Sequence, residues 1–268
     1  MANSKMVQGH QARKRFGQNF LSDHFYISKI VDAIGATESD HLVEIGPGLG
    51  AITEHLVKQA GILDVVELDR DLIPKLTAKF GQFEHFHIHQ SDALKFDFTQ
   101  LTNADNSNIR VVGNLPYNIS TPLIFHLLEQ RHVIKDMYFM LQKEVVERLC
   151  ASPGTKQYGR LSVMTQYYCQ TAMLFVVPPG AFSPAPKVDS AIVCLKPHTQ
   201  IKRPVKNPDL LSTIVTAAFN QRRKTIRNGL KEWLNQDDFE KVNIAPTERP
   251  ERLSLDNFID ICTFIENR

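Results

Sequence analysis

Short runs of apolar residues alternate with segments of helical periodicity between about residues 40 and 145 of the chain. Each run is bounded by glycine, aspartate or asparagine and is too short for a buried helix, so the runs predict strands. Strands that alternate with helical segments are typical of βα units stacked around a parallel sheet. The five predicted strands are His41–Ile45, Gly61–Glu67, His85–His89, Arg110–Gly113 and Asp136–Leu141.

Two later apolar runs, Thr171–Val177 and Ser190–Leu195, flank a proline-rich loop and predict an antiparallel pair that completes a seven-stranded, Rossmann-like α/β sheet. The segment Lys196–Asp209 contains three prolines and little periodicity, which indicates a linker. Apolar positions at helical spacing follow it, without any strand-like run. We therefore predict an α/β domain at residues 1–200 and a small all-helical domain at residues 201–268.

The composition is that of a folded protein without a membrane span. The chain has 268 residues, 43% of them hydrophobic, and a formal net charge of +2, which does not by itself indicate a polyanion partner. The four cysteines form no Cys-x-x-Cys pair, which argues against a zinc knuckle or a disulfide framework and favours a reducing compartment. No apolar run has the length of a signal peptide or a bilayer span, so we expect a soluble, cytoplasmic protein.

The distribution of charge is more informative than its sum. No acidic residue precedes Asp23, whereas several basic residues do, and a second basic cluster begins at Arg222. Both segments are candidate contacts for the phosphate backbone of a nucleic acid, although a solvated helix face would show the same pattern. The candidate RNA-binding residues are Arg13, Lys14, Arg15, Arg222, Arg223, Lys224 and Arg227.

A glycine-rich turn, Glu44–Gly50, follows the first predicted strand. Glycines at such a turn let the backbone approach a ligand closely just before a helix begins. Because Ala51 follows Gly50, the stretch also satisfies the looser dinucleotide-binding pattern. On this motif alone, an NAD-dependent dehydrogenase or a simple tight turn remains an alternative.

Carboxylates stand at the ends of the next two predicted strands. Glu67 ends the second strand, where a carboxylate can accept hydrogen bonds from both hydroxyls of a ribose. Asp92 follows the third strand and could accept from the exocyclic amine of a cofactor adenine, or could simply cap a helix that begins at Ala93. These positions predict a nucleotide-containing cofactor.

The sequence Asn114-Leu115-Pro116-Tyr117 stands directly after the fourth predicted strand. This motif meets a chemical need of enzymes that methylate the exocyclic nitrogen of adenine. That nitrogen is a poor nucleophile because its lone pair is delocalised into the ring, so such an enzyme must favour the geometry in which the conjugation is weakened. The Asn114 side-chain oxygen and the Leu115 carbonyl could each accept one amine hydrogen, while Tyr117 stacks on the base. The alternative is a type I turn built on Pro116, with Asn114 capping the next helix.

A metal site is not expected. His85, His87 and His89 alternate along the third predicted strand, so they share one face. No carboxylate or cysteine joins them at ligand spacing.

These motifs resemble those of the ribosomal RNA adenine dimethylases. The resemblance rests on Gln18–Leu21, Glu44–Gly50, Asn114–Tyr117 and Phe182–Val188, and it covers most of the chain. The segment Phe219–Asn228 is similar to the C-terminal domain of the branch that dimethylates two adjacent adenines near the 3′ end of small-subunit rRNA. The resemblance implies a methyltransferase sheet and S-adenosylmethionine as the cofactor.

The resemblance also implies a role for individual residues. Phe182 is expected to face Tyr117 across the flipped base, although a phenylalanine beside a proline-rich loop is otherwise a common loop anchor. The implied catalytic residues are Asn114, Leu115, Tyr117 and Phe182. The implied cofactor-binding residues are Asn19, Leu21, Gly46, Gly48, Glu67, Asp92 and Asn114.

The expected substrate is small-subunit rRNA within an assembling small ribosomal subunit, and the expected state is a monomer. Rival hypotheses are a large-subunit rRNA adenine methylase and a noncatalytic rRNA-binding assembly factor. A protein glutamine methyltransferase would have a similar Asn-Pro-Pro-Tyr motif, but Leu115 replaces its first proline. A dehydrogenase would leave Asn114–Tyr117 without a purpose.

Overall fold

The structure is a computed structural model that describes residues 6–7, 10–11, 19–102, 108–220 and 224–268. Its main feature is a seven-stranded mixed sheet in the order β3-β2-β1-β4-β5-β7-β6. The strands are β1 (His41–Ile45), β2 (Ile62–Glu67), β3 (Phe86–Gln90), β4 (Ile109–Asn114), β5 (Ile134–Gln142), β6 (Cys169–Val177) and β7 (Ser190–Pro197). All seven predicted strands are confirmed, most of them with bounds shifted by one to two residues.

The strand order creates a crevice at one edge of the sheet. Strand β1 pairs in parallel with β2 on one side and with β4 on the other, and β7 runs antiparallel to β5. The strands β1 to β3 therefore follow one another towards one edge of the sheet, and β4 to β7 extend towards the other edge. Such a reversal leaves a gap at the carboxyl ends of the two central strands, where ligands bind in open α/β sheets.

Helices cover the sheet and fill the C-terminal part of the chain. Helix α1 begins after Asp23, whose carboxylate accepts from the N–H groups of Phe25 and Tyr26, and ends at Gly35. The helices are α1 (His24–Ile34), α2 (Thr53–Leu56), α3 (Ile73–Phe80), α4 (Ser120–Glu129), α5 (Lys143–Leu149), α6 (Arg160–Tyr168), α7 (Pro208–Asn220), α8 (Ile226–Gly229), α9 (Gln236–Lys241) and α10 (Leu255–Glu266). No helix of the described residues is both long and apolar enough to cross a bilayer.

Two short antiparallel pairs lie outside the main sheet. Met6–Val7 pairs with His10–Gln11, and Phe20–Leu21 pairs with Phe182–Ser183. The second pair joins the segment before α1 to the loop between β6 and β7, and the Ser22 N–H adds a bond to the carbonyl of Ala181. This pair sits beside the crevice because Phe20 and Leu21 line it.

The chain divides into two compact units, Met1–Val146 with Ala172–Pro197, and Glu147–Thr171 with His198–Arg268. This division differs from the predicted boundary after residue 200, because α6 packs against α7 and α10. The sheet strand β6 and the helix α6 are adjacent in sequence, so a single cut in the chain cannot separate the units. That the units are separate functional domains stays a prediction.

The second unit has its own apolar core. Its described elements are helical apart from the start of β6, as the periodicity predicts. Ile214, Ala218, Leu230 and Leu234 are buried as expected. The side of α7 that faces the core also includes Leu211 and Val215, whereas Leu210 and Ala217 are partly exposed.

A buried ionic cluster joins the first three strands. The Asp64 carboxylate on β2 contacts Nε2 of His41 on β1 and Nε2 of His89 on β3, each at 2.5 Å. Burial alone would raise the pKa of Asp64, but the hydrogen bonds from the two histidines outweigh it and lower the pKa to about 2. Two of the alternating histidines therefore have structural partners, since His85 also bonds the carbonyl of Val57. Within the described residues, no group of three or more His, Cys, Asp or Glu side chains is arranged to hold a metal ion.

Asp64→Asn is expected to lower the free energy of unfolding at neutral pH by about 1–3 kcal/mol, because an amide cannot replace the charged acceptor of two buried bonds. The folded-state pKa is depressed, so this contribution is present above the ordinary value of 3.8 and is lost as the pH falls towards about 2. Urea unfolding at pH 7 and at pH 3 measures it. The exposed Asp32→Asn is the control, and an equal effect of both substitutions at pH 7 would contradict the prediction.

Candidate active site

A cavity of about 570 Å³ lies at the carboxyl ends of the central strands. It is lined by residues 19–22, 44–49, 66–68, 91–94 and 114–119, among others. These segments follow β1, β2, β3 and β4 or precede α1, so the strand order brings together residues that are almost a hundred positions apart. The cavity occupies the crevice that the sheet topology predicts.

The glycine-rich turn forms the floor of the cavity after β1. Gly48 has a φ of 61°, in the left-handed region, and a Cβ there would lie 3.2 Å from the Phe20 ring. Gly50 has a φ of 79°, and a Cβ there would lie 2.6 Å from the Phe80 ring. Both positions therefore require glycine. Gly46 and Gly48 both line the cavity, and their N–H groups are bound within the protein, to the Val66 carbonyl and to Glu67.

Glu67 closes the cavity at the end of β2. Its two carboxylate oxygens accept from the N–H groups of Asp69, at 2.8 Å, and of Gly48, at 3.3 Å. Burial raises the pKa of Glu67 and these backbone bonds oppose the rise. Each oxygen has a second lone pair for a ligand hydroxyl. The carboxylate is thus held rigidly beside the glycine turn with capacity for a diol.

Glu44 is a second buried carboxylate in the cavity wall, and the sequence analysis assigned it no role of its own within the glycine-rich motif. The Thr53 hydroxyl donates to it at 2.6 Å. Burial is the main cause that raises its pKa to about 7, and the charge of Glu67 adds to the rise. Thr53 at the start of α2 could not be paired with Glu44 from spacing alone, because the bond depends on how the turn folds back.

Glu44→Gln is expected to remove a pH dependence of stability. Because the folded-state pKa is raised, the folded state holds more protons than the unfolded state between the ordinary value of 4.5 and about 7, so stability falls as the pH rises through that window. The glutamine variant should gain roughly 1–3 kcal/mol relative to the parent between pH 5 and pH 8. Urea unfolding at both pH values measures the gain, with the exposed Glu129→Gln as control. An unchanged difference between parent and variant across this range would refute the prediction.

Asp92 and Leu68 also line the cavity. One oxygen of Asp92 accepts from the Leu94 N–H at 3.0 Å, so the residue caps a turn and lines the cavity at the same time. The capped segment is a turn and not a helix, and the contact of Asp92 with a cofactor adenine stays a prediction. Leu68 is 49% exposed and also lines the cavity. Sequence reasoning missed Leu68, and its position directly after Glu67 was the available signal.

Asn114 ends β4 and lines the cavity. Its side-chain Nδ2 donates to the backbone carbonyl of Asn19 at 3.0 Å. A carbonyl can only accept, so this contact fixes the direction of the amide and turns Oδ1 away from Asn19. Helix α4 has Ile119 at its N-cap and no side-chain cap, which excludes the alternative in which Asn114 caps that helix.

The next three residues continue the cavity wall. The Leu115 N–H donates to the Met140 carbonyl on β5, which anchors the loop to the sheet, and the Ile119 N–H bonds the carbonyl of Pro116 in a turn. Tyr117 lines the cavity and is half-buried. The structure therefore brings Asn114, Leu115 and Tyr117 together at one edge of the cavity.

Phe182 does not join them. Its side chain is buried in the apolar core with Leu21 and Val177, and it is absent from the cavity wall. This position matches the loop-anchor interpretation, because Phe182 also pairs through its backbone with Leu21. Asn19 and Leu21, on the other side of that pair, do line the cavity.

The basic residues are only partly described. Lys224 and Arg227 are exposed in the second unit, and Arg227 makes a long contact of 3.5 Å with Gln236. Arg227 is the second residue of the short helix α8. The remaining candidates lie outside the described residues; they are Arg13, Lys14, Arg15, Arg222 and Arg223.

The donor set fits S-adenosylmethionine. A ribose diol can donate to Glu67, an adenine amine can donate to Asp92, and the amino-acid part of the cofactor can meet the backbone of the glycine turn. The sheet order with its antiparallel seventh strand, the cavity and this donor set define an S-adenosylmethionine-dependent methyltransferase. The particular family is established by comparison with known proteins.

Residues 9–267 match the family model described as ribosomal RNA adenine dimethylase, and the chain belongs to this family. It is 57% identical to a ribosomal RNA small subunit methyltransferase A of a Marinomonas species, over 96% of this chain and 97% of the relative. It is 58% identical to the protein of the same name from Pseudomonas aeruginosa, over 93% of each chain.

Solved structures share the fold of this chain. A dimethyladenosine transferase from Plasmodium falciparum is similar with a TM-score of 0.78 and 26% identity, over 90% of this chain and 95% of that one. The 23S rRNA methyltransferase ErmE shares the fold, with a TM-score of 0.72 and 21% identity over 92% of this chain and all of that one. The resemblance found in the sequence is therefore confirmed, as are the fold class, the cofactor and the enzyme class.

Proposed function

We propose that the enzyme transfers methyl groups from S-adenosylmethionine to the N6 amine of two adjacent adenines near the 3′ end of small-subunit (16S) rRNA during ribosome biogenesis, giving N6,N6-dimethyladenosine. The observation that carries the chemistry is the bond from Asn114 Nδ2 to the Asn19 carbonyl. Because this bond directs Nδ2 towards Asn19, Oδ1 is left to accept a hydrogen from an amine. The name shared by the relatives at 57% and 58% identity supports the choice of subunit.

The cofactor would be held by the residues around the glycine turn. Glu67 would accept from the ribose hydroxyls, Asp92 from the adenine amine, and Leu68 would cover the adenine with apolar surface. Gly46 and Gly48 would face the methionine part, with Asn19 and Leu21 closing the cavity over it. When bound, the cofactor supplies an electrophilic methyl group on a sulfonium.

The residues after β4 would prepare the amine. Asn114 Oδ1 and the Leu115 carbonyl would each accept one hydrogen, which favours the geometry in which the nitrogen lone pair is no longer conjugated with the ring. Tyr117 would stack on the flipped base. Neither acceptor needs to take a proton, because the amine proton can leave to solvent after transfer. A monomethylated amine retains one hydrogen for these acceptors, so a second transfer can follow.

Phe182 would reach the base only after its loop moves, because its side chain is buried in this structure. Its predicted stacking role therefore depends on a rearrangement upon RNA binding. We retain Phe182 as a proposed catalytic residue on the family resemblance, and we place more weight on the cavity residues Asn114, Leu115 and Tyr117.

The basic residues would contact the RNA backbone. Lys224 and Arg227 are exposed, as a phosphate contact requires, and Arg13, Lys14, Arg15, Arg222 and Arg223 are proposed from the sequence and the resemblance. We also propose that the enzyme acts as a monomer. An assembling small subunit in the cytoplasm is the proposed setting.

Methylation of ribosomal subunits tests the proposal. Small subunits from cells that lack this modification would be incubated with the enzyme and radiolabelled S-adenosylmethionine, and the nucleosides would then be separated. We expect N6,N6-dimethyladenosine in small-subunit RNA and none with Asn114→Ala.

Two results would overturn the proposal. Label in large-subunit RNA alone would favour the large-subunit methylase. If neither subunit is labelled although the protein still binds the cofactor, a noncatalytic assembly factor would be favoured.

A further inference from the structure

The Tyr117 hydroxyl is bound to a residue outside the cavity wall. It lies 2.8 Å from the hydroxyl of Ser190, the first residue of β7. Ser190 is fully buried, with 0% exposure, and does not line the cavity. Burial raises the pKa of Tyr117, so its phenol stays protonated and able to share this bond.

The anchor for this bond is rigid. Ser190 pairs with Gln142 in the antiparallel ladder of β7 and β5, and the preceding Asp189 carbonyl accepts from the Lys143 N–H at 2.9 Å. Strand β5 itself holds the Asn114 loop through the bond from the Leu115 N–H to Met140. The backbone of Tyr117 and the far end of its ring are therefore fixed to the same part of the sheet.

A tyrosine ring turns about two side-chain bonds, and a stack on a base needs one ring orientation. The hydroxyl oxygen lies on the axis of the second rotation, so a hydrogen bond at this atom restricts the first rotation, which sets where the ring axis points, before the base arrives. We propose that Ser190 is a positioning residue that keeps the Tyr117 ring at the place in the site where it stacks on the target adenine. This inference rests on the proposed function, because it concerns the placement of the base.

The experiment compares Ser190→Ala, Tyr117→Phe and the double variant in single-turnover methyl transfer to the rRNA that the parent enzyme methylates. Each single change removes one partner of the bond and keeps the ring, so each is expected to lower the rate by roughly fivefold to tenfold. The double variant is expected to be no slower than either single variant, since the bond can be lost only once. Calorimetry should give an unchanged Kd for S-adenosylmethionine.

A second measurement separates positioning from loss of stability. RNA with 2-aminopurine at the target position reports stacking through quenching of its fluorescence, and Ser190→Ala should reduce that quenching. The matched control is Ser162→Ala, which removes another fully buried hydroxyl, one that donates to the Arg148 carbonyl. It should lower the unfolding midpoint without changing the rate or the quenching.

The possible outcomes are distinct. If the parent methylates no RNA, the proposed function fails and this inference fails with it. If the parent is active but Ser190→Ala matches it, or if the losses in the two single variants multiply in the double variant, only the role of Ser190 is overturned.

Discussion

Replacement of Asn114 by aspartate is expected to lower the rate of methyl transfer by about a hundredfold to a thousandfold. The Asn19 carbonyl faces Asn114 at 3.0 Å and accepts its N–H. An ionised carboxylate has no hydrogen to donate, so two oxygens would repel each other at that contact. The side chain would have to rotate, and the acceptor for the target amine would move with it.

The pH dependence of this variant distinguishes geometry from charge. A protonated aspartic acid can donate to the Asn19 carbonyl, so part of the lost rate should return as the pH is lowered. Single-turnover rates between pH 5.5 and 8 would be measured for the parent, for Asn114→Asp and for a control variant. The control is Asn108→Asp, which adds the same charge at an exposed residue just before the same strand and outside the cavity lining, and which should lose much less activity. Equal losses in the two variants, without recovery at low pH, would contradict the geometric explanation.

Glu67→Gln is expected to weaken the binding of S-adenosylmethionine by about tenfold to a hundredfold. Both carboxylate oxygens already accept a backbone N–H, from Gly48 and from Asp69. A glutamine has one oxygen and one NH₂ group, so its NH₂ would face a donor at one of these sites. The side chain would lose its position, the glycine turn would lose a bond, and one ribose hydroxyl would lose its acceptor.

Titration calorimetry with S-adenosylmethionine measures this effect directly and requires no RNA. Glu84→Gln, a change at an exposed carboxylate, is the control. Glu67→Ala should bind at least as weakly as the glutamine variant. Unaltered affinity in Glu67→Gln would show that the cofactor lies elsewhere in the cavity, and the proposed cofactor contacts would have to be revised.

The positions of the strands and of most cavity residues could be predicted from the sequence because they depend on local patterns. Apolar runs of strand length, bounded by turn residues, located all seven strands of the sheet. In a parallel sheet the carboxyl ends of neighbouring strands meet at one edge, so motifs that follow β1, β2, β3 and β4 had to lie close together. Glu67, Asp92 and Asn114 satisfy this rule.

The tertiary structure decided the contacts that connect distant segments. The bond between Asn114 and Asn19, the bond between Tyr117 and Ser190 and the association of α6 with the C-terminal helices join residues far apart in sequence. No periodicity reports such contacts, because they depend on the register of the strands and the path of the loops.

Phe182 illustrates the same limit. Its motif places it near the cavity, but packing decided that its ring fills the core. By itself, the sequence determined the fold, the family and the edge of the sheet that carries the chemistry, since these follow from local patterns and motifs. Only the tertiary structure decided which side chains face the cavity and what holds them, since burial and hydrogen bonding are set by neighbours that the chain brings together when it folds.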